Sequence, residues 1–149
     1  PAKPAYQLIG VYNLEMARLY NYAMQSLGNE FTLIHSLDGY DEISLTSDTK
    51  IISNKGEFMM TPYQLGKRKV FPEELYGGNT VEAAAAIFKK IIQGNGSWSQ
   101  NAVVLANAAM ALQVTGQYEN YEAAFQAAVK SLESGAANNC LNQLISLQK

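Results

Sequence analysis

The sequence predicts an α/β domain: a mainly parallel sheet with an added antiparallel hairpin, followed by a helical half. Three observations carry that expectation. A strand, a capped helix and a second strand follow one another between Tyr6 and Ile34; two strand-like runs flank a glycine turn between Thr49 and Thr61; and the pattern from Gly77 onward is helical. Strand–helix–strand in so short a stretch is a βαβ crossover, whose strands lie parallel in one sheet.

Each element has its own signal. Tyr6 to Val11 (YQLIGV) is a short apolar, partly β-branched run after Pro4, which reads as a strand. Asn13 is placed to cap the helix that follows, with Glu15 favourable in its first turn. Met16, Tyr20, Ala23 and Leu27 recur at spacings of 4, 3 and 4, one face of an α-helix. Gly28 supplies a left-handed stop, and Phe31 to Ile34 forms the second strand. Thr49 to Ser53 and Glu57 to Thr61 flank Asn54-Lys55-Gly56, expected as a three-residue hairpin loop, and Pro62 ends the second of these strands. Lys67-Arg68-Lys69, the one basic triplet, reads as a solvated turn.

In the second half, Asn79 with Glu82 resembles a capping box opening a helix over Val81 to Gln93, with Gly94 as its stop. Ala102 to Val114 is apolar on nearly every face, interrupted by Asn107 and Gln113, and a helix of that kind is buried. Tyr118 to Glu133 and Ala137 to Leu147 complete the helical half, with breaks at Gly116 and Gly135. No internal repeat or linker divides the 149 residues, so one domain is expected.

Composition excludes several classes. The chain is 48% apolar and 16% charged, against a usual charged share of about 25%. With 13 acidic and 11 basic residues and a net charge of −2, it lacks the electrostatic footprint of a nucleic-acid binder. The single cysteine, Cys140, allows no intramolecular disulfide, and one histidine, His35, leaves too few ligands for a Cys/His zinc site. No apolar run approaches the roughly 18–20 residues that span a bilayer, and no signal segment opens the chain. A cytoplasmic protein is expected. The start at Pro1, without Met, suggests a fragment or processed product, and the Asn95-Gly96-Ser97 sequon reads as chance.

One constellation raises a question of chemistry. His35-Ser-Leu-Asp38-Gly-Tyr-Asp41-Glu42 leaves what should be the carboxyl end of a strand, where ligands sit in open α/β sheets. Asp41 and Glu42 are adjacent hard carboxylates, the donor type that suits Mg²⁺ together with substrate phosphates. A solvated acidic turn accounts for the same residues. Gly77-Gly78 could present amides to an anion but fits a tight turn, and His35 could act as a base but fits a structural role after a buried strand. Cys140 reads as a buried, inert thiol, and the tyrosines as packing residues. No dinucleotide fingerprint, Walker loop or nucleophile elbow is present.

These residues resemble the C-terminal portion of the anthranilate phosphoribosyltransferase family along nearly the whole chain. Pro1-Ala2 with Tyr6 to Tyr12 is similar to the end of that family's Asn-Pro-Ala motif and the strand after it. The most diagnostic stretch, His35 to Thr46, is similar to its histidine-glycine, Asp-Gly, Asp-Glu signature. Gly77 to Thr80, Asn101 to Leu112 with its Asn107-Ala-Ala109 core, and Ser134 to Ala137 resemble later segments.

The resemblance implies a parent enzyme of tryptophan biosynthesis that transfers phosphoribose from phosphoribosyl pyrophosphate to the amine of anthranilate and releases pyrophosphate. It assigns Asp41 and Glu42 to a magnesium ion on the pyrophosphate side. It also implies that the glycine-rich phosphate loop, a Lys-His-Gly-Asn-Arg segment, the arginine that orients anthranilate and the dimer-forming N-terminal helices lie upstream of Pro1. The chain is then a single partial domain, inactive alone, with an apolar face left open at the cut. Two departures stand out: Ser36 replaces the family's usual glycine, implying local backbone strain, and Ala83 stands near a position where many members carry Asn. A nucleoside phosphorylase of the same fold is the first alternative, disfavoured by the Asp-Gly-x-Asp-Glu loop. A non-catalytic nucleic-acid-binding homologue is the second, disfavoured by the charge.

Overall fold

The computed structural model describes residues 4–148. Strand β1 (Tyr6–Gly10) leads into helix α1 (Leu14–Leu27), capped as expected: Asn13 has extended backbone and its Oδ1 accepts from the Met16 N–H at 2.8 Å. Gly28, at φ 70°, takes the left-handed exit that side chains with a Cβ avoid. Strand β2 (Glu30–Ser36) then pairs parallel with β1, in register from Tyr6–Glu30 to Gly10–Ile34. The crossover is therefore present.

Strands β3 (Thr49–Ser53) and β4 (Gly56–Met60) add antiparallel to β2, giving the order β1-β2-β3-β4. The α/β class, the parallel pair and the added hairpin stand as expected, but the sheet is mixed rather than mainly parallel. One of its three strand pairs is parallel. The connection 37–48 contains no helix to carry the chain back to the other end of the sheet, so it returns antiparallel. The hairpin loop has two residues, Asn54 and Lys55, with Gly56 (φ 122°) opening β4. Asn54 also stitches the turn to the sheet: its Oδ1 accepts from the Phe31 N–H at 2.8 Å and its Nδ2 donates to the Asn29 carbonyl at 3.1 Å.

Pro62 does more than end a strand. It opens α2 (Pro62–Gly66), where Thr61 and Gln64 form a reciprocal capping box. A 3₁₀ turn (Pro72–Leu75) precedes α3 (Val81–Ile92), α4 (Trp98–Val114), α5 (Tyr121–Glu133) and α6 (Ala136–Leu147). The cap of α3 is Thr80, not Asn79: its hydroxyl accepts from the Ala83 N–H at 3.2 Å. α4 starts earlier than its apolar run, because Ser97 and Gln100 cap each other's backbone N–H groups.

Two cores flank the sheet. On one face Val11, Ala17, Met24, Phe31, Leu33 and Ile52 bury α1; on the other, Ile34 and Ile51 meet Ala102, Ala106 and Met110 of α4, joined by Ile43, Leu45, Leu65 and Val70. Full burial of a side chain such as Phe31 or Leu33 contributes about 1.5–3 kcal/mol. α4 is the central helix as expected, since its far side receives Ala124 and Phe125 of α5.

The spacing located α1 but not the face it buries, and of the four spaced residues Met16 packs against the core. Ala17 and Met24 are its buried residues, whereas Tyr20, Ala23 and Leu27 are exposed. Helical periodicity identified the element, but α1 carries apolar residues on more than one face, among them Leu19 and Tyr22, and both are exposed. The tyrosines are corrected likewise: Tyr6, Tyr12, Tyr20, Tyr22, Tyr40, Tyr63 and Tyr76 are exposed rather than packed. Cys140 is exposed too, because α6 buries none of its residues. Among the described residues no helix is long and apolar enough to cross a membrane.

Candidate metal loop

The acidic loop leaves the carboxyl end of β2 and folds over the carboxyl end of its parallel neighbour. A Cβ built on Gly10, the last residue of β1, would lie 1.7 Å from the Asp41 carbonyl oxygen, so that approach requires glycine. Asp41 and Glu42 are both exposed at this rim. The loop thus occupies the place where open α/β sheets bind ligands.

Side chains hold the loop where no strand ladder can. Ser36, fully buried at the end of β2, donates its hydroxyl to the Glu42 carbonyl at 2.6 Å. With that proton committed, Ser36 Oγ accepts from the Ser44 N–H at 3.3 Å and from the Thr49 hydroxyl at 3.2 Å. Its backbone carries no strain: Ser36 lies in the strand, and the non-glycine residues with positive φ are Leu45 and Lys67. The replacement of glycine is thereby explained as a gain of three hydrogen bonds. Asp38 faces inward along the loop, accepting from the Thr46 hydroxyl, with the Ser44 hydroxyl 3.4 Å from its other oxygen. Gly39, at φ 100°, lets the turn close with its N–H on the Ser36 carbonyl at 2.9 Å.

Further along the chain, Asn107 on α4 grips the same loop. Its Oδ1 accepts from the Ile43 N–H at 3.0 Å, and its Nδ2 donates to the Ile43 carbonyl at 2.8 Å and to the Val103 carbonyl at 2.9 Å. A polar residue inside an apolar helix was the visible signal, since an amide withdrawn even partly from water needs partners. Which partner it takes, 64 residues away, is not encoded locally.

The remaining candidates sort clearly. His35 is buried, and its ring Nδ1 lies 2.9 Å from the Val11 carbonyl; because a carbonyl only accepts, that nitrogen carries the proton and ties β2 to the end of β1. Gly78 has φ 87° and a Cβ there would lie 2.8 Å from the Ala83 Cβ, so the pair Gly77-Gly78 is a tight turn against α3. Ala83, the second departure, fills that contact. Two members of the exposed basic triplet are paired: Lys67 bridges Glu122, and Arg68 bridges Glu74 at 2.8 Å while lying 4.0 Å from the Trp98 ring centre. Bonds from the Ser99 hydroxyl and the Phe71 N–H, with Arg68 beside it, hold the Glu74 carboxyl below its ordinary range.

Magnesium fits this donor set in part. Asp41 and Glu42 supply hard, exposed oxygens, the ligands Mg²⁺ prefers, and it characteristically keeps waters and takes phosphate oxygens for the rest. Among the described residues no group of three or more His, Cys, Asp or Glu side chains assembles as a closed metal cage. The loop therefore suits a shared metal, held jointly with a phosphorylated ligand.

Comparison with known proteins bears on this loop. The family model described as "Glycosyl transferase family, a/b domain" matches residues 1–138. The anthranilate phosphoribosyltransferase of Flavobacterium johnsoniae is 47% identical over 144 residues, covering 97% of this chain and 43% of that protein. The one from Christiangramia forsetii is 44% identical over 149 residues, covering all of this chain and 45% of its own. The chain thus spans less than half the length of these relatives. Among solved structures, anthranilate phosphoribosyltransferase from Thermus thermophilus superposes with a TM-score of 0.87 at 24% identity, over 98% of this chain and 44% of that one. The Saccharomyces cerevisiae enzyme, in complex with PRPP and Mg, gives 0.80 at 22% identity over 93% and 40%. At these identities the structural matches show a shared fold.

Proposed function

Because the chain belongs to the glycosyl transferase family, a/b domain, we propose that it is the C-terminal, metal-holding part of an anthranilate phosphoribosyltransferase. The reaction is transfer of phosphoribose from phosphoribosyl pyrophosphate to the anthranilate amine, with release of pyrophosphate, in tryptophan biosynthesis. The observation that carries this reading is the pair Asp41-Glu42, exposed on a loop folded over the carboxyl end of β1, in a chain 47% identical to a relative of that name.

In this reading Asp41 and Glu42 hold magnesium. The chemistry a bound magnesium supplies is charge neutralisation on the departing pyrophosphate. The chain's own residues fix where those two carboxylates sit before the donor arrives, and such preorganisation is what makes positioned charge effective. Groups that cradle ribose and phosphate and orient anthranilate belong to the rest of the parent protein, as does assembly into a homodimer. The 149 residues form a single partial domain that is inactive alone.

The test is a titration of rate against Mg²⁺ in the full-length gene product. Asp41→Asn with Glu42→Gln keeps shape and removes two charges. The Mg²⁺ needed for half-maximal rate should rise about tenfold or more, roughly 1.4 kcal/mol, while the affinity for anthranilate changes little. Superimposable Mg²⁺ curves would return Asp41 and Glu42 to the status of surface charges.

A further inference from the structure

Ile43, the residue after Glu42, is completely buried, yet its backbone belongs to no strand. Its N–H and C=O are paired by one side chain, the Asn107 carboxamide, whose oxygen accepts from the first and whose nitrogen donates to the second. That is the two-bond exchange of an antiparallel residue pair, made by a helix side chain. The second hydrogen of Nδ2 goes to the Val103 carbonyl one turn back on α4, so both hydrogens are committed and the amide is held in one orientation.

We propose that Asn107 is the positioning residue for the Asp41–Glu42 pair, a role that rests on the metal reading above. Two clamps bracket the carboxylates' anchor. Ser36 takes the Glu42 carbonyl and the Ser44 N–H from the sheet side, while Asn107 takes both backbone groups of Ile43 from α4. Three consecutive residues after Asp41 are therefore pinned between two rigid elements, although Asp41 and Glu42 themselves are exposed. Ile43 and Leu45 extend the anchor into the core shared with Ala102, Ala106 and Met110. Outer partners of this kind set ligand geometry, so loosening one weakens the metal without removing a ligand.

The experiment measures Mg²⁺ binding by titration calorimetry in the full-length gene product, with hydrogen exchange at the Ile43 amide and thermal unfolding alongside. Asn107→Leu keeps volume and removes every bond to Ile43. It should weaken Mg²⁺ about tenfold, speed exchange at Ile43, and add nothing further in the Asp41→Asn, Glu42→Gln background. A lower unfolding temperature with unchanged Mg²⁺ affinity would overturn the positioning role while leaving the metal reading intact, provided that the double carboxylate variant still weakens Mg²⁺. If that double variant leaves Mg²⁺ binding unchanged, the metal reading fails and the role of Asn107 fails with it. Should Asn107→Leu not fold, Asn107→Asp decides. Its added charge by itself would tighten Mg²⁺, so weaker binding reports lost geometry and supports the proposal, whereas equal or tighter binding overturns it.

Discussion

Gly10 shows how one residue couples the sheet to the acidic loop. Its φ is not positive, so conformational freedom is not the reason for glycine; the reason is the Asp41 carbonyl lying where a Cβ would be. Backbone on both sides leaves nothing flexible to yield, so Gly10→Ala must push the acidic loop outward. A stability loss of about 1–3 kcal/mol is expected in urea unfolding, with a raised Mg²⁺ requirement in the full-length gene product. Unchanged stability would mean the loop moves freely there. Glu74 supports a prediction about acid. Its carboxyl is held below the ordinary value of 4.5 chiefly by the Ser99 hydroxyl, then by the Phe71 N–H, with smaller help from Arg68. A folded-state pKa below the unfolded one means its contribution is complete above the ordinary value and fades as pH falls through the lowered one. The contribution is small because Glu74 is solvated. Glu74→Gln should flatten the acid limb of the stability curve relative to the parent, and parallel limbs would assign that limb to other carboxylates.

At the scale of elements, α4 organises the molecule. Its alanines at 102, 106 and 109 let the helix approach the sheet on one side and α5 on the other, and the Tyr121 hydroxyl of α5 lies 3.1 Å from the Ala106 carbonyl of α4 and 2.8 Å from the Leu65 carbonyl of α2. Burial pushes the Tyr121 hydroxyl above the ordinary tyrosine range, keeping it a neutral donor. Amides of Ala102 to Met110 and of Phe31 to Ile34 should therefore exchange slowest with solvent, opening only with global unfolding. α6, with no buried residue, should exchange among the fastest of the helices. Rapid exchange across Ala102 to Met110 would contradict a central role for α4.

At the scale of the whole molecule, large apolar side chains lie at the surface around α1. Tyr12, Leu14, Leu19, Tyr22 and Leu27 stand exposed on or beside α1, and β1 pairs with β2 alone among the described strands. The relatives are more than twice as long as the chain, and in the proposed reading its sheet edge and acidic loop are one part of a larger site. In that reading effective transfer requires donors positioned around the leaving group together with the metal, and the two-carboxylate rim would supply one portion of that. The 149 residues by themselves are expected to give no loss of anthranilate fluorescence with the sugar donor and Mg²⁺. Turnover at the rate of a full-length relative would refute the proposed division of the site.

Local chemistry made several features legible before any coordinates. Asn13 and Gly28 bound α1, the βαβ order forced a parallel pair, and the adjacency of Asp41 and Glu42 marked the loop, because capping, turn conformation and paired charge act over a few residues. Tertiary structure alone decided the rest. Which face of α1 is buried depended on where the sheet lies beneath it, so an apolar stripe at helical spacing located the helix without fixing its buried face. The antiparallel return of β3 depended on a connection without a helix. That Ser36 clasps the loop instead of straining it, and that Asn107 reaches Ile43 across 64 residues, follows from a buried hydroxyl and a half-buried amide finding partners only once β2, the loop and α4 are packed together. Hydrogen bonds between distant segments have no short-range pattern to read, and at this site they are what hold the carboxylates in place.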